Sequence, residues 1–241
     1  MHASTQEVEP ILASPLLKRT FFAALGLAVL SVAIAGAAHY LGDGLALAGH
    51  TEDMTPLETV IGNSVLKLPA NMIRYESQRR DGVSKRVDLY LHWPDMLGYQ
   101  AALTQDFNGV GTVKRIVFAT LEPRADAFDM SGRYGPVYSM LTSGPGRRGP
   151  AGLTIQSFRP DSGYADEVLV ISPEHAGALP FVARCLDGES ARDSFAACQR
   201  DIFVGEDLQL TYRFPPWLLN DWRELEAQMQ GFAKDHIISA E

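Results

Sequence analysis

The hydrophobic pattern divides the chain into a long apolar run near the N-terminus and a series of short alternating segments after it. Residues 21–41 contain no charged side chain. A helix rises by about 1.5 Å per residue, so this run is long enough to cross a hydrocarbon core of about 30 Å. The following organisation is predicted: a cytoplasmic tail at 1–19, a transmembrane signal-anchor helix at 20–42, a linker at 43–56 and an extracytoplasmic domain at 57–241.

The charges that flank the run predict its orientation. Lys18 and Arg19 precede it, whereas Asp43, Glu52 and Asp53 follow it. Basic residues next to a span favour the cytoplasmic side. The chain also lacks an Asn-x-Ser/Thr sequon, which favours a bacterial periplasm over a eukaryotic lumen. We expect a single-pass protein of the bacterial inner membrane, with its N-terminus in the cytoplasm and its main domain in the periplasm.

A cleaved secretory signal peptide is the alternative interpretation of the same run. Ala35-Gly36-Ala37 is an acceptable small-residue cleavage site. The leader before the run contains Glu7 and Glu9, which is unusual for a short basic leader. The run is also longer than the apolar core of about 7–15 residues that signal peptides carry. We favour an uncleaved anchor, and both interpretations export the rest of the chain.

After the linker, apolar and polar residues alternate in short segments separated by turn-forming residues. Val87, Leu89 and Leu91 point to one face of an extended chain, and Asp88 points to the other. This period of two is typical of a strand with one buried face. Runs bounded by Gly, Pro, Asn or Asp extend the prediction to further segments. Strands are predicted at 59–68, 86–93, 113–121, 152–158, 167–171, 181–186, 198–204 and 208–214.

The C-terminal segment has a helical period instead. Leu218, Trp222, Leu225, Met229 and Phe232 recur at spacings of 4, 3, 4 and 3. This predicts an amphipathic helix of about 20 residues that packs on the sheet of its own domain. Its other face would carry Glu224 and Glu226 in solvent. Shorter helices are predicted further upstream, at 99–106 and 134–141.

Many neighbouring strands with few helical connections indicate an antiparallel sheet. We therefore predict an α+β fold, in which an N-terminal transmembrane helix precedes a mostly antiparallel sheet domain with a C-terminal amphipathic helix. The chain carries 21 basic and 29 acidic residues, a formal net charge of −8. An acidic protein repels nucleic acid, so nucleic acid is excluded as a partner.

Cys185 and Cys198 are the two cysteines of the chain. In an oxidising compartment an even number of cysteines indicates a disulfide. Their spacing is far wider than the Cys-x-x-Cys of redox pairs, and no clustered histidines or further cysteines suggest zinc. We predict a structural disulfide between them, no metal site and no cofactor.

Candidate catalytic residues are few. The chain contains no Gly-x-Ser-x-Gly elbow. His92 and Asp95 flank the end of a predicted strand, and His175 follows another. These three are weak candidates for catalysis, because a histidine at a strand edge is ordinarily just exposed.

Arg147 and Arg148 stand out within a frame of Gly and Pro residues. Two guanidinium groups are suited to bind a carboxylate or a phosphate. The alternative is a solvated hairpin loop, which is the usual meaning of such a composition.

The sequence therefore favours a membrane-anchored, non-enzymatic binding or envelope-assembly module of the periplasm. Its expected partners are the membrane, through its own helix, and another membrane or envelope protein. The alternative is an anchored or secreted envelope hydrolase whose active site is dispersed along the chain.

Overall fold

The computed structural model describes residues 15–46, 49–108, 114–173, 179–192 and 194–238. The chain forms two compact units, which comprise residues 1–49 and 50–241.

Among its described residues, the first unit contains one long helix, α1, at Pro15–Ala46. Within it, Lys18–Gly36 has a mean hydropathy of 1.8. By length and composition this stretch is able to cross a membrane, and a signal sequence near an N-terminus has the same properties. The helix includes the whole predicted apolar run.

The second unit consists of short strands with a few helices between them. Its α-helices are α2 (Thr104–Asn108), α3 (Ser139–Leu141), α4 (Gly188–Arg192) and α5 (Trp222–His236). Its strands are β1 (Pro56–Ile61), β2 (Ser64–Pro69), β3 (Gly82–Val83), β4 (Val87–His92), β5 (Ile116–Pro123), β6 (Thr142–Arg148), β7 (Thr154–Phe158), β8 (Glu167–Ile171), β9 (Val182–Leu186), β10 (Cys198–Val204), β11 (Leu208–Phe214) and β12 (Ile237–Ile238).

These strands form two sheets. The large sheet has eight strands in the order β4-β5-β11-β10-β9-β8-β7-β6, and all of its neighbours are antiparallel. The small sheet has the order β12-β2-β1-β3, with a parallel pair only between β1 and β3. The α+β prediction, with a mostly antiparallel sheet and a C-terminal helix, is thus confirmed.

The main core lies between the two sheets and α5. Leu208, Leu210, Tyr212 and Phe214 of β11 alternate with outward residues and are fully buried. Leu225, Met229 and Phe232 of α5 belong to the same cluster, together with side chains of β1 and β2. The apolar stripe that predicted the helix therefore packs on the sheet of its own domain.

A smaller core covers part of the opposite face of the large sheet. Leu169 and Ile171 of β8 contact this second cluster, whereas Val168 and Val170 face the main core. Met130 and Tyr138 cover the second cluster from the segment before β6. A strand buried on both faces shows a continuous apolar run rather than an alternation, which is the pattern of β8.

The structure differs from the prediction at 59–68, where a hairpin replaces a single strand. β1 and β2 pair antiparallel around Gly62 and Asn63. Gly62 has a φ of +59°, a conformation that glycine adopts without strain. The Asn63 backbone N–H and the Ser64 hydroxyl both donate to the carboxylate of Asp207, which lies between β10 and β11. The first hairpin is thereby fixed to another turn of the domain.

Candidate functional site

The predicted histidine and carboxylate candidates have different surroundings. His92 ends β4, and its Nε2 atom lies 2.9 Å from Oδ2 of Asp106 in α2. Asp95 follows in the turn after β4 and is exposed. His175 lies outside the described residues. The carboxylate beside His92 is therefore Asp106, and a catalytic role for His92, Asp95 or His175 stays a prediction.

A second histidine sits in an aromatic cage close to the start of the domain. The His50 ring stacks on Tyr99 at 4.5 Å between centroids and meets the edges of Tyr90 and Phe107. Its Nε2 atom is 3.0 Å from Oδ1 of Asn108. Burial lowers the pKa of His50, and nearby Arg79 and Arg74 lower it further, while the bond to Asn108 acts in the opposite direction. The cage therefore favours the neutral imidazole.

Arg147 and Arg148 lie on β6, which is an edge strand of the large sheet. Both are exposed. The segment forms a strand because it pairs with β7, with a bulge between Ser143 and Arg147 where the Gly-Pro-Gly sequence departs from the register. Anion binding by the two arginines stays a prediction.

Cys185 and Cys198 form a disulfide, as predicted. The two residues are directly paired in the register of β9 and β10. The bridge therefore links two neighbouring strands and closes the loop that contains α4.

A buried ionic network joins α5 to the large sheet. Arg200, in the middle of β10, is only 4% exposed. Its Nε and Nη2 atoms each donate to an oxygen of Glu226 at 2.7 Å. Nη1 donates to Ser131 and to the Val182 carbonyl, and the Tyr212 hydroxyl donates to Glu226 at 2.6 Å.

This network changes the prediction for α5. Glu226 does not face solvent, because it reaches inward to the buried guanidinium of Arg200. Burial alone would raise the pKa of Glu226, but its hydrogen bonds and ion pair with Arg200 outweigh this and hold the pKa below its ordinary value. Burial raises the pKa of Tyr212 well above its ordinary value, so its hydroxyl remains a donor.

The outward face of the large sheet carries a row of side chains, which we call the outer row. Phe118 of β5 pairs with Arg213 of β11, Arg213 with Gln199 of β10, and Gln199 with Arg184 of β9. Residues paired directly across antiparallel strands have their side chains on one face. The outer row thus crosses four strands as a continuous line of an aromatic ring, an amide and two guanidinium groups.

Aromatic rings and cations stack at the Phe118 end of the outer row. The Arg74 guanidinium lies 4.6 Å from the Phe118 ring and 5.1 Å from that of Tyr75. Phe195 lies 5.3 Å from Phe118, and the Lys114 ammonium group is 4.9 Å from Phe195. Tyr75 is 44% exposed and Phe195 is 42% exposed, so this surface presents rings and cations together.

A polar hollow lies at the other end of the outer row. It has a volume of about 250 Å³ and is lined by Glu167, Arg184, Leu186, Ala197, Gln199 and Arg213. Arg184 is held there by Glu167 at 3.4 Å and by the ring of Tyr164 at 4.8 Å. Arg213 also lines the hollow and is exposed.

Sequence reasoning missed the outer row, although part of its signal was present. The alternation in β11 places Gln209, Thr211 and Arg213 opposite the buried positions. The pairing of β11 with β5, however, joins segments about ninety residues apart, and no local pattern specifies such a partner.

No protein-family model matches the chain, and no curated protein sequence matches it. Two solved structures resemble it. One is an immunity protein of the Stenotrophomonas maltophilia type IV secretion system, with a TM-score of 0.52 and 15% identity over 79% of this chain and 96% of that chain. The other is the iron-regulated outer membrane lipoprotein of Neisseria meningitidis, with a TM-score of 0.40 and 9% identity over 77% of this chain and 98% of that chain. The first likeness shows a shared fold.

Proposed function

We propose that this chain is a membrane-tethered, non-enzymatic module of the bacterial envelope whose second unit binds another envelope protein. In this proposal α1 is the tether, and Lys18 and Arg19 keep its N-terminus in the cytoplasm. The second unit then lies in the periplasm, an oxidising compartment that suits the Cys185–Cys198 disulfide.

The observation that carries the proposal is the exposed aromatic and cationic surface on the large sheet. Protein interfaces are enriched in aromatic residues and arginine, and their strongest contacts often come from these side chains. Arg213 lies on β11 of the large sheet, and the exposed rings of Tyr75 and Phe195 lie in the segments beside it. A surface built on a sheet is able to receive a partner without a large rearrangement.

The solved structure with the shared fold is named an immunity protein of a secretion system. One fold supports many functions, so the likeness alone does not assign that role to this chain. The exposed rings and cations beside the large sheet suit a role in which a protein partner is bound.

The test is crosslinking of the full chain in intact membranes with amine-reactive reagents of several lengths, followed by affinity purification and mass spectrometry. We expect one defined envelope protein to be recovered in a constant ratio. A control chain, in which residues 15–46 are replaced by an unrelated membrane span, should recover the same partner, because the second unit makes the contact. Recovery of only the uncrosslinked chain with every reagent would overturn the proposal.

A further inference from the structure

We propose that the outer row, together with the rings and cations stacked at its Phe118 end, binds an acidic segment of the partner protein, an inference that rests on the proposed function and specifies its surface. The segment would place carboxylates against Arg74, Lys114 and Arg213 and apolar side chains against the rings of Tyr75 and Phe195.

The cations of this surface lack acidic partners among the residues that the structure describes. No carboxylate there lies within 4.0 Å of the charged group of Arg74, Lys114 or Arg213. Aromatic rings hold Arg74 and Lys114 in place through cation–π contacts. A guanidinium stacked on a ring keeps its N–H donors at its edge, where they are free for a bidentate bond to a carboxylate.

This surface and the whole chain differ in the sign of their charge. The net charge is −8, so a surface that gathers unpaired cations departs from the average charge. At a distance, an acidic protein repels extended polyanions such as nucleic acid or an anionic membrane. A short acidic segment carries few charges and reaches the cations directly, so it fits the local surface better than a polyanion does.

The length of the outer row matches that of a short extended peptide. The outer row crosses from β5 to β9 in three strand steps, which correspond to roughly 14 Å at about 4.8 Å per step. An extended segment rises by about 3.3 Å per residue and covers this length with about five residues. Its alternate side chains face the sheet, so one short stretch is able to contact both the rings and Arg213.

The polar hollow determines where the carboxylates are placed. Glu167 lines its far side and already pairs with Arg184, so it repels a second carboxylate there. Arg213 and the Gln199 amide line the near side. We therefore expect an acidic side chain of the partner at Arg213, with the apolar part of the segment directed toward Phe195.

The experiment uses the full chain in intact membranes with a photo-crosslinking phenylalanine analogue at position 195. The matched control carries the analogue at Val83, which is 83% exposed on β3 of the small sheet. We expect a partner to crosslink from position 195 and not from position 83. Mass spectrometry of the product should map the contact to a partner segment rich in Asp and Glu.

Charge reversal provides the second arm. Arg74→Glu combined with Arg213→Glu should reduce the crosslinked product at least tenfold, whereas Lys67→Glu combined with Lys85→Glu, two exposed lysines outside this surface, should change it less than twofold. Lys114→Glu alone is the alternative variant if the double variant does not reach the folded state by circular dichroism. Higher salt should weaken the complex, because exposed charges are screened.

The outcomes separate the two proposals. Three results would overturn the acidic-segment inference and leave the proposed function intact. The partner recovered by chemical crosslinking does not react from position 195, the contact segment contains no acidic residues, or the charge-reversed variants give an undiminished product. Crosslinks from position 195 to lipid or nucleic acid would overturn it as well. Failure to recover any partner with any reagent would instead overturn the proposed function.

Discussion

At the scale of single residues, the most demanding interaction is the ion pair between Arg200 and Glu226. Replacing Arg200 with Met leaves the Glu226 carboxylate partly buried without its cation, and removing one partner of a buried pair typically costs about 3–5 kcal/mol. We expect Arg200→Met to lower the free energy of unfolding by about 3 kcal/mol in urea titrations. The exposed Arg159, paired with Asp161 at the surface, is the control, and Arg159→Met should cost less than about 0.5 kcal/mol.

The double variant Arg200→Met with Glu226→Met distinguishes a lost ion pair from lost packing. Both charges are then absent, and apolar side chains of similar length fill their space, so much of the stability should return. A double variant as unstable as Arg200→Met would contradict this explanation. The instability would then come from the loss of the hydrogen bonds that Arg200 donates to Ser131 and to the Val182 carbonyl.

His50 predicts a pH dependence of stability. Its pKa in the folded state is lowered by burial, so the unfolded state binds the proton more readily. The stability from His50 is therefore complete above the unfolded value of about 6.5 and is lost as the pH falls below it. His50→Phe keeps an aromatic ring in the cage and should remove this loss when unfolding is compared at pH 7 and pH 5.

Asn108→Ala is the matched control for His50. It keeps the imidazole and removes the bond that favours the protonated ring. The loss of stability should persist in this variant and still begin near the unfolded value, but it should continue to a lower pH, because the pKa of His50 in the folded state is lowered further. An unchanged pH dependence in His50→Phe would show that other groups are responsible.

At the scale of elements, the carboxylate of Asp207 connects two hairpins. It accepts hydrogen bonds from the Asn63 N–H and the Ser64 hydroxyl at 2.9 and 2.7 Å. Asp207→Ala removes both bonds, and we expect a loss of about 1–2 kcal/mol in the free energy of unfolding. Glu206→Ala changes the exposed neighbour in the same turn and should have little effect. Equal losses in both variants would mean that the turn, and not the link between hairpins, is affected.

The same elements show what the sequence specifies and what it does not. β10 and β11 have the predicted bounds because their alternation and their flanking turns are local signals. β6 was not predicted as a strand, since Gly and Pro residues carry no strand preference and its conformation comes from pairing with β7. The inward position of Glu226 depends on how α5 docks on β10, although the charged pair Arg200-Asp201 inside an apolar strand was a usable signal.

At the scale of the whole molecule, the fold class follows from local patterns and the candidate surface does not. The disulfide was predictable from two cysteines and their compartment. The outer row needs the order of the strands, because Phe118, Arg213, Gln199 and Arg184 come from four strands that are distant in the chain. Sequence alternation identifies which side chains face outward, and only topology shows which of them are neighbours.

The tether predicts the mass and the topology of the protein in cells. If α1 is an uncleaved anchor, the protein purified from membranes keeps its N-terminal segment and an intact mass of 26.4 kDa. It should also resist extraction by alkaline carbonate, since a span of this length is held by its apolar surface.

Replacing Lys18 and Arg19 with Glu should weaken the N-terminus-in orientation, because basic residues next to the span set it. Protease added to spheroplasts should degrade the second unit in the unmodified protein and spare a fraction of it in this variant. A product that begins near Ala37 would show instead that the segment is a signal peptide, and the second unit would then be free of the membrane.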